Sequence, residues 1–269
     1  MTKPDLLGRY DAFLLDIDGV LVRGSEALDG AVLGHRRLQE QGRTILLTNN
    51  SSRTRKDLAD RLTGLGFTVD PEDVVPSSFV AAQHLANEGG AVTFWTVGEA
   101  GLEAELRLAG HRPSKRAEDA EWLVAGIDRS MNYAILADAL RALSAGARLL
   151  ATNTDPTLPV PDGLRPGAGA IIGALAGMGF RPEVVVGKPS PIAFRAALDL
   201  LDGDSTSVLM IGDRLETDIA GGNEAGLDTA LVLTGVTDGA MADESEIRPT
   251  WIAESLSALV AGRRESSHR

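Results

Sequence analysis

AFLLDIDGV, residues 12–20, is a short apolar run that leads into two aspartates and a glycine. An apolar run of this length fits a buried strand, and the acids stand where such a strand would leave its sheet. Because side chains alternate along an extended chain, Asp16 and Asp18 lie on the same side and can face one small volume. Two carboxylates at such a short distance repel each other unless a cation lies between them or they share a proton. An acid pair before a glycine is also typical of a simple turn, so both interpretations stay open for this stretch alone.

Similar apolar runs recur along the chain and alternate with helical patterns. We predict strands at 12–16, 43–48, 91–97, 121–126, 147–152, 183–186, 207–213 and 229–233, and helices at 29–41, 52–65 and 133–145 that stop before a glycine. This alternation indicates a parallel α/β architecture. In open sheets of that kind a ligand lies beyond the carboxyl ends of the strands, where the strand order reverses.

The strand at 43–48 runs directly into Thr48, Asn49 and Asn50, followed by two serines. A hydroxyl, amides and free backbone N–H groups at a helix N-terminus suit an anion. Ser and Asn are also the preferred residues of an ordinary N-cap, and taken separately this second interpretation is favoured.

Charged residues follow two later strands. Lys188 comes after the strand at 183–186 and could neutralise a phosphate oxygen, although a single Lys is usually a solvated surface charge. Asp213 ends the strand at 207–213, with Glu216 and Asp218 close behind. Such oxygen ligands without His or Cys suit Mg²⁺, although acids also favour the first turn of a helix. All four groups come in order at the ends of strands that we expect in the core, which makes coincidence hard to defend.

The composition indicates a globular protein and excludes some classes of partner. Of 269 residues, 43% are hydrophobic and 24% charged, which is typical of globular proteins. The net charge of −12 disfavours nucleic acid and membrane surfaces as partners. There is no cysteine, no long apolar segment and no secretory signal pattern, so we expect a cytoplasmic protein.

The stretches DIDGV, LLTNNSS, VGKPSP and MIGDRLETDIAGG resemble, in order and residue type, the four motifs of the haloacid dehalogenase (HAD) superfamily of phosphohydrolases. The segment ATNTDP at 151–156, with PGAG at 166–169, is similar to the cap of the NagD-like, 4-nitrophenylphosphatase branch. This resemblance implies a doubly wound, Rossmann-like parallel sheet, the HAD-like core, with a smaller α/β cap domain inserted. The implied divisions are 1–87 for the first part of the core, 88–181 for the cap and 182–269 for the second part of the core.

The resemblance also implies roles for single residues. Asp16 would be the nucleophile that forms an aspartyl phosphate, and Asp18 the general acid and base. Asp16, the Asp18 backbone carbonyl and Asp213 would hold Mg²⁺, and Asp218 would support Lys188 or a metal-bound water without binding the ion itself. The groups expected to bind the phosphate are Gly19, Thr48, Asn49, Asn50 and Lys188.

The family resemblance implies a Mg²⁺-dependent phosphoric monoester hydrolase. A second Asp two residues after the nucleophile favours phosphomonoester hydrolysis over carbon–halogen cleavage. Two other activities stay open, phosphoryl transfer to an acceptor other than water and hydrolysis of nucleoside monophosphates; a non-catalytic module that binds a phosphorylated ligand is less favoured. Pairing of caps into a homodimer is also open.

Cap residues would choose among small phosphorylated metabolites, and we expect Asp155 and Leu158 to do so. Leu158 stands where relatives that hydrolyse pyridoxal phosphate tend to have His. This favours a compact polyol or glycolate-type phosphate, with glycerol 3-phosphate first and phosphoglycolate next.

Overall fold

The computed structural model describes residues 7–160, 163–201 and 207–261. The strands are β1 Ala12–Leu15, β2 Val22–Arg23, β3 Glu26–Ala27, β4 Arg43–Thr48, β5 Val74–Pro76, β6 Thr93–Val97, β7 Arg112–Pro113, β8 Trp122–Ala125, β9 Arg148–Ala151, β10 Thr157–Val160, β11 Gly163–Pro166, β12 Val184–Val185, β13 Val208–Gly212, β14 Asp228–Val232 and β15 Trp251–Ala253. The helices are α1 Ala31–Gln41, α2 Arg55–Gly64, α3 Ser77–Gly89, α4 Ala100–Leu108, α5 Tyr133–Ser144, α6 Ala168–Gly177, α7 Pro191–Leu198, α8 Ala220–Glu224, α9 Gly239–Glu244 and α10 Leu256–Val260.

The first compact unit is built around a parallel sheet of six strands in the order β15-β14-β13-β1-β4-β5. It comprises Met1–Thr48, Ala59–Val75 and Phe194–Arg269, as far as these ranges are described. All four residues of β1 are buried, as the unbroken apolar run in a parallel sheet requires. The strand order reverses at β1, with β4 on one side and β13 on the other, so the predicted doubly wound sheet is confirmed.

The second compact unit, Asn49–Leu58 and Pro76–Ala193, has a five-stranded sheet of its own, in the order β12-β9-β8-β6-β7. Its strands are also parallel. Helices α5 and α6 contribute apolar side chains to the core under this sheet, among them Leu143 and Leu175. A short antiparallel hairpin, β10 with β11, follows β9. The sequence did not indicate this hairpin because both strands are only four residues long, and a proline lies within β10 and another ends β11.

This division of the chain differs from the predicted boundaries at 88 and 181. The second unit also takes residues 76–87, because α3 packs against α4. It further takes residues 182–193, because β12 pairs with β9 at the edge of the second sheet. The sequence pattern predicts that the strand before Lys188 belongs to the core sheet. This prediction is wrong, because the strand belongs to the sheet of the second unit.

No helix within the described ranges is both long and apolar enough to span a membrane.

His35 on α1 is a buried histidine, 2% exposed, whose ring meets the ring of Phe67 edge-on at 5.7 Å. Burial lowers its pKa from 6.5 to about 4. Between these values the unfolded chain binds a proton that the folded chain does not, so acidification destabilises the fold. We expect the burial of neutral His35 to lower the free energy of unfolding by up to about 3 kcal/mol as the pH falls from 6.5 to 4. Urea unfolding across this pH range gives the free energy of unfolding of wild type and of His35→Leu. The difference between the two free energies should change with pH, and a constant difference would contradict the prediction.

Candidate active site

The register of the core sheet brings two acids to the same edge. Leu15 of β1 pairs with Ile211 of β13, and the N–H of Asp16 donates to the Ile211 carbonyl at 2.9 Å. Asp16 and Asp213 therefore leave adjacent parallel strands at their carboxyl ends. This edge is the one at which the strand order reverses, where open α/β sheets bind their ligands.

Asp218 joins these two residues in a buried cluster of carboxylates. One oxygen from each of Asp16, Asp213 and Asp218 lies within 4.8 Å of the other two. All three residues are buried, and Asp218 is 0% exposed. Three carboxylates so close together in a buried place repel one another unless a cation lies among them. A set of oxygen donors without sulfur or imidazole fits Mg²⁺.

Asp218, to which the family resemblance gives a supporting role, has a carboxylate oxygen in the same cluster as those of Asp16 and Asp213. A single π-helical turn, Leu215–Ile219, carries Asp218 back toward the strand end. Its Oδ2 accepts the backbone N–H of Arg214 at 3.1 Å. Only glycine fits at position 212, because a Cβ there would lie 2.1 Å from the Cβ of Asp218. Glu216 on the same turn is exposed.

The loop after β14 fixes Asp213, a contact that the four sequence motifs do not indicate. The N–H of Val236 donates to Asp213 Oδ2 at 2.7 Å, and the N–H of Thr237 donates to its backbone carbonyl at 3.1 Å. A Cβ on Gly235 would lie 1.8 Å from Asp213 Oδ2. The sequence does contain a signal for this loop. Thr234 and Thr237 follow the predicted strand 229–233, just as the polar residues of the four motifs follow their strands.

Gly235→Ala tests how tightly this loop holds the Asp213 carboxylate. The added methyl group has to displace the Asp213 side chain, so we expect the Mg²⁺ concentration for half-maximal activity to rise about 10- to 100-fold. The matched control is Gly239→Ala, because a Cβ at Gly239 meets nothing within 4 Å. Mg²⁺ titrations of activity, with melting temperatures for both variants, measure the effect. Equal Mg²⁺ dependence in the two variants would contradict this account.

A tight turn follows Asp16 and presents Asp18 at the same end of β1. Asp18 is half-buried, and the N–H of Gly19 donates to the Val22 carbonyl at 2.8 Å. Gly19 has a φ of +90°, and a Cβ on it would lie 2.4 Å from Asp213 Oδ2, so only glycine fits. Thr234 Oγ1 donates to the Gly19 carbonyl at 2.5 Å. Thr48 is buried at the end of β4, the other neighbour of β1.

The other predicted residues belong to the second unit, where the segment after Thr48 lies at the carboxyl ends of β8, β9 and β12. Ser51 is 1% exposed, and a Cβ on Gly126, just after β8, would lie 2.5 Å from its Oγ. Lys188, two residues after Val186, is 3% exposed. Its burial excludes the ordinary surface lysine that a single Lys usually is.

The side chains of Asn49 and Asn50 have protein partners that the sequence did not indicate. Asn49 Nδ2 donates to the Asp155 carboxylate, at 3.1 Å to Oδ2 and 3.3 Å to Oδ1, and to the Lys188 carbonyl at 3.0 Å. Asn50 Oδ1 accepts from the N–H of Ser52 at 2.9 Å and from its hydroxyl at 3.1 Å. Asn50 thus forms a local side-chain turn and does not cap α2, which begins at Arg55.

The two residues predicted to select the substrate occupy different places. Asp155 precedes the hairpin and contacts Asn49, whereas Leu158 lies on β10, paired with Arg165 of β11, and is half-buried.

Two family models match the chain. The model of haloacid dehalogenase-like hydrolases matches residues 13–112, and a model of HAD-hydrolase-like proteins matches residues 185–259. The two matches include all three residues of the carboxylate cluster. They agree with the resemblance that the four motifs indicated.

Relatives similar to the chain over nearly its whole length include enzymes that act on phosphate esters. The 5′-nucleotidase YutF of Bacillus subtilis is 37% identical over 254 residues, which are 93% of this chain and 98% of the relative. The structure of a p-nitrophenyl phosphatase from Archaeoglobus fulgidus superposes with a TM-score of 0.87 at 38% identity, covering 94% of this chain and 98% of that one. A glycerol phosphate phosphatase from Mycobacterium tuberculosis in complex with magnesium superposes with a TM-score of 0.86 at 38% identity, covering 95% and 78% of the two chains.

Proposed function

We propose that this chain, which belongs to the haloacid dehalogenase-like hydrolases in their NagD-like, 4-nitrophenylphosphatase branch, hydrolyses small phosphomonoesters with Mg²⁺ through an aspartyl phosphate on Asp16. The observation that carries this proposal is the buried cluster of Asp16, Asp213 and Asp218 at the point where the strand order reverses. The magnesium complex of the similar glycerol phosphate phosphatase supports the choice of ion.

The reaction divides between Asp16 and Asp18. Bound among the three clustered carboxylates, Mg²⁺ would offset the negative charge that a carboxylate and a phosphate bring together. An Asp16 oxygen forms a bond to phosphorus as the bond to the leaving oxygen breaks, and Asp18 gives its proton to that oxygen. Water then attacks the phosphorus and gives a proton to Asp18, which frees the Asp16 carboxylate and releases phosphate. The partial exposure of Asp18 suits a group that exchanges protons with substrate and water.

The phosphate oxygens need donors throughout both steps. In this proposal they are the Thr48 hydroxyl, the Lys188 ammonium and backbone N–H groups near Gly19 and Asn50. Asn49 would contribute through its backbone, because the two hydrogens of its amide are already used by Asp155 and Lys188.

For the substrate, glycerol 3-phosphate is our first choice and phosphoglycolate our second. The similarity to a glycerol phosphate phosphatase supports this choice, and so does the apolar Leu158 on β10. A nucleoside monophosphate is the second candidate, favoured by the similarity to the Bacillus 5′-nucleotidase.

Phosphate release tests the activity and the substrate together. The panel contains 4-nitrophenyl phosphate, glycerol 3-phosphate, phosphoglycolate, pyridoxal 5′-phosphate and a nucleoside monophosphate, each with Mg²⁺ and with EDTA. We expect Mg²⁺-dependent release from 4-nitrophenyl phosphate and the highest kcat/KM for a compact ester. No release from any ester would overturn the proposal. Adding glycerol separates phosphoryl transfer from hydrolysis, because transfer yields more nitrophenol than free phosphate.

A further inference from the structure

The side-chain amide of Asn49 has a single orientation that its neighbours allow. Its Nδ2 lies within 3.3 Å of three acceptors, the two Asp155 oxygens and the Lys188 carbonyl. An amide nitrogen has two hydrogens, so one serves the carboxylate and the other the carbonyl. A flipped amide would place its oxygen against three acceptors. The Asn49 Oδ1 is itself buried and has no hydrogen-bond partner among the described residues, so the hydrogen bonds that orient this side chain are those of Nδ2.

The backbone of Asn49 belongs to the same network. Its carbonyl accepts from Asn153 Nδ2 at 2.8 Å and from the Ser77 hydroxyl at 2.8 Å. Asn153 Oδ1 in turn accepts the N–H of Asp155 at 3.1 Å. Asp155 and Asn153 therefore hold Asn49 by side chain and by backbone, from the loop that follows β9.

Asp155 itself is held in place through its backbone. Its carbonyl accepts the N–H of Gly169 at 2.9 Å, at the start of α6. A Cβ on Gly167 would lie 2.2 Å from the same carbonyl oxygen, so the chain packs backbone against backbone here. In the sequence, Gly167 and Gly169 belong to the segment that is similar to the NagD-like cap. Their structural effect is to present the Asp155 carboxylate to Asn49 from a fixed base.

We propose that Asp155 is a positioning residue, which orients Asn49 and through it the backbone of Lys188, and that it does not select the leaving group. This inference rests on the proposed phosphatase function. A charged acceptor binds an amide more strongly than a neutral one, and a small displacement of a phosphate-binding group lowers the rate much more than it weakens substrate binding. Substrate choice would then fall to other residues of the second unit, such as Leu158.

Two substitutions at Asp155 test this role. Asp155→Ala removes the acceptor, and we expect kcat to fall about 10- to 100-fold. Asp155→Asn keeps an oxygen of similar reach, and we expect it to recover most of the rate. Both variants should keep the wild-type ratio of kcat/KM between glycerol 3-phosphate and 4-nitrophenyl phosphate. Glu103→Ala, which removes a half-buried acid on α4 that pairs with Arg107, is the matched control and should change neither quantity.

A double-mutant cycle with Asn49→Ala completes the test. If Asp155 acts through Asn49, the double variant should lose hardly more activity than Asn49→Ala alone. Wild-type kcat in Asp155→Ala, multiplied losses in the double variant, or a changed ratio between the two esters would each overturn the inference, and the last would restore Asp155 to substrate selection. A wild-type protein without turnover would instead refute the proposed function. Melting temperatures of all variants confirm that each is folded.

Discussion

Asp16→Asn should abolish turnover, with kcat lower by about 10⁴-fold or more, in a protein that remains folded. The amide keeps the shape of the side chain but is not a nucleophile toward phosphorus. The variant also removes one of three negative charges that lie within 4.8 Å of one another. We therefore expect its melting temperature without Mg²⁺ to equal or exceed that of the wild type, because the buried like charges repel each other less.

An acid-quench experiment shows whether Asp16 becomes phosphorylated. Wild type mixed with ³²P-labelled substrate should carry protein-bound label after quenching, and Asp16→Asn should carry none. Turnover near the wild-type rate in Asp16→Asn would refute the assignment of the nucleophile.

Asp213→Asn and Asp218→Asn should each raise the Mg²⁺ concentration for half-maximal activity by about 10- to 100-fold. The reason is that each substitution removes a carboxylate from the same buried cluster. Glu216→Gln is the matched control, since Glu216 lies on the same turn as Asp218 but is exposed. Activity is measured against Mg²⁺ concentration for the three variants and wild type.

The comparison of Asp218→Asn with Asp213→Asn is the most informative part of this experiment. If Asp218→Asn kept the wild-type Mg²⁺ dependence while Asp213→Asn lost it, Asp218 would have the supporting role that the family resemblance implies. An effect of Glu216→Gln as large as the other two would indicate a general loss of negative charge rather than a specific metal site.

The core strands and the acids at their ends could be predicted because both are local features. An unbroken apolar run predicts a buried parallel strand, and polar residues directly after it fall at its carboxyl end. Asp16 and Asp213 were identified in this way, and the register of β1 with β13 confirms that they leave neighbouring strands.

Contacts between distant segments could not be predicted in this way. Asn49 and Asp155 are 106 residues apart, and nothing in either local pattern indicates that their side chains meet. The apolar run before Lys188 predicts a strand but not which sheet takes it, since pairing depends on neighbours elsewhere in the chain. The close approach of Gly235 to Asp213 is a consequence of how the loop after β14 packs. Such features follow from tertiary packing, and a single sequence carries only their residue types.

The pairing of β1 with β13 also affects how this protein is made. During synthesis β1 leaves the ribosome early, whereas its partner β13 begins at Val208 and Asp218 follows later still. Until then one edge of β1 has no neighbouring strand, and the nascent polypeptide carries an apolar segment that can associate wrongly. A ribosome that stalls before Val208 therefore yields a product that lacks Asp213 and Asp218 of the carboxylate cluster and has an open sheet edge at β1.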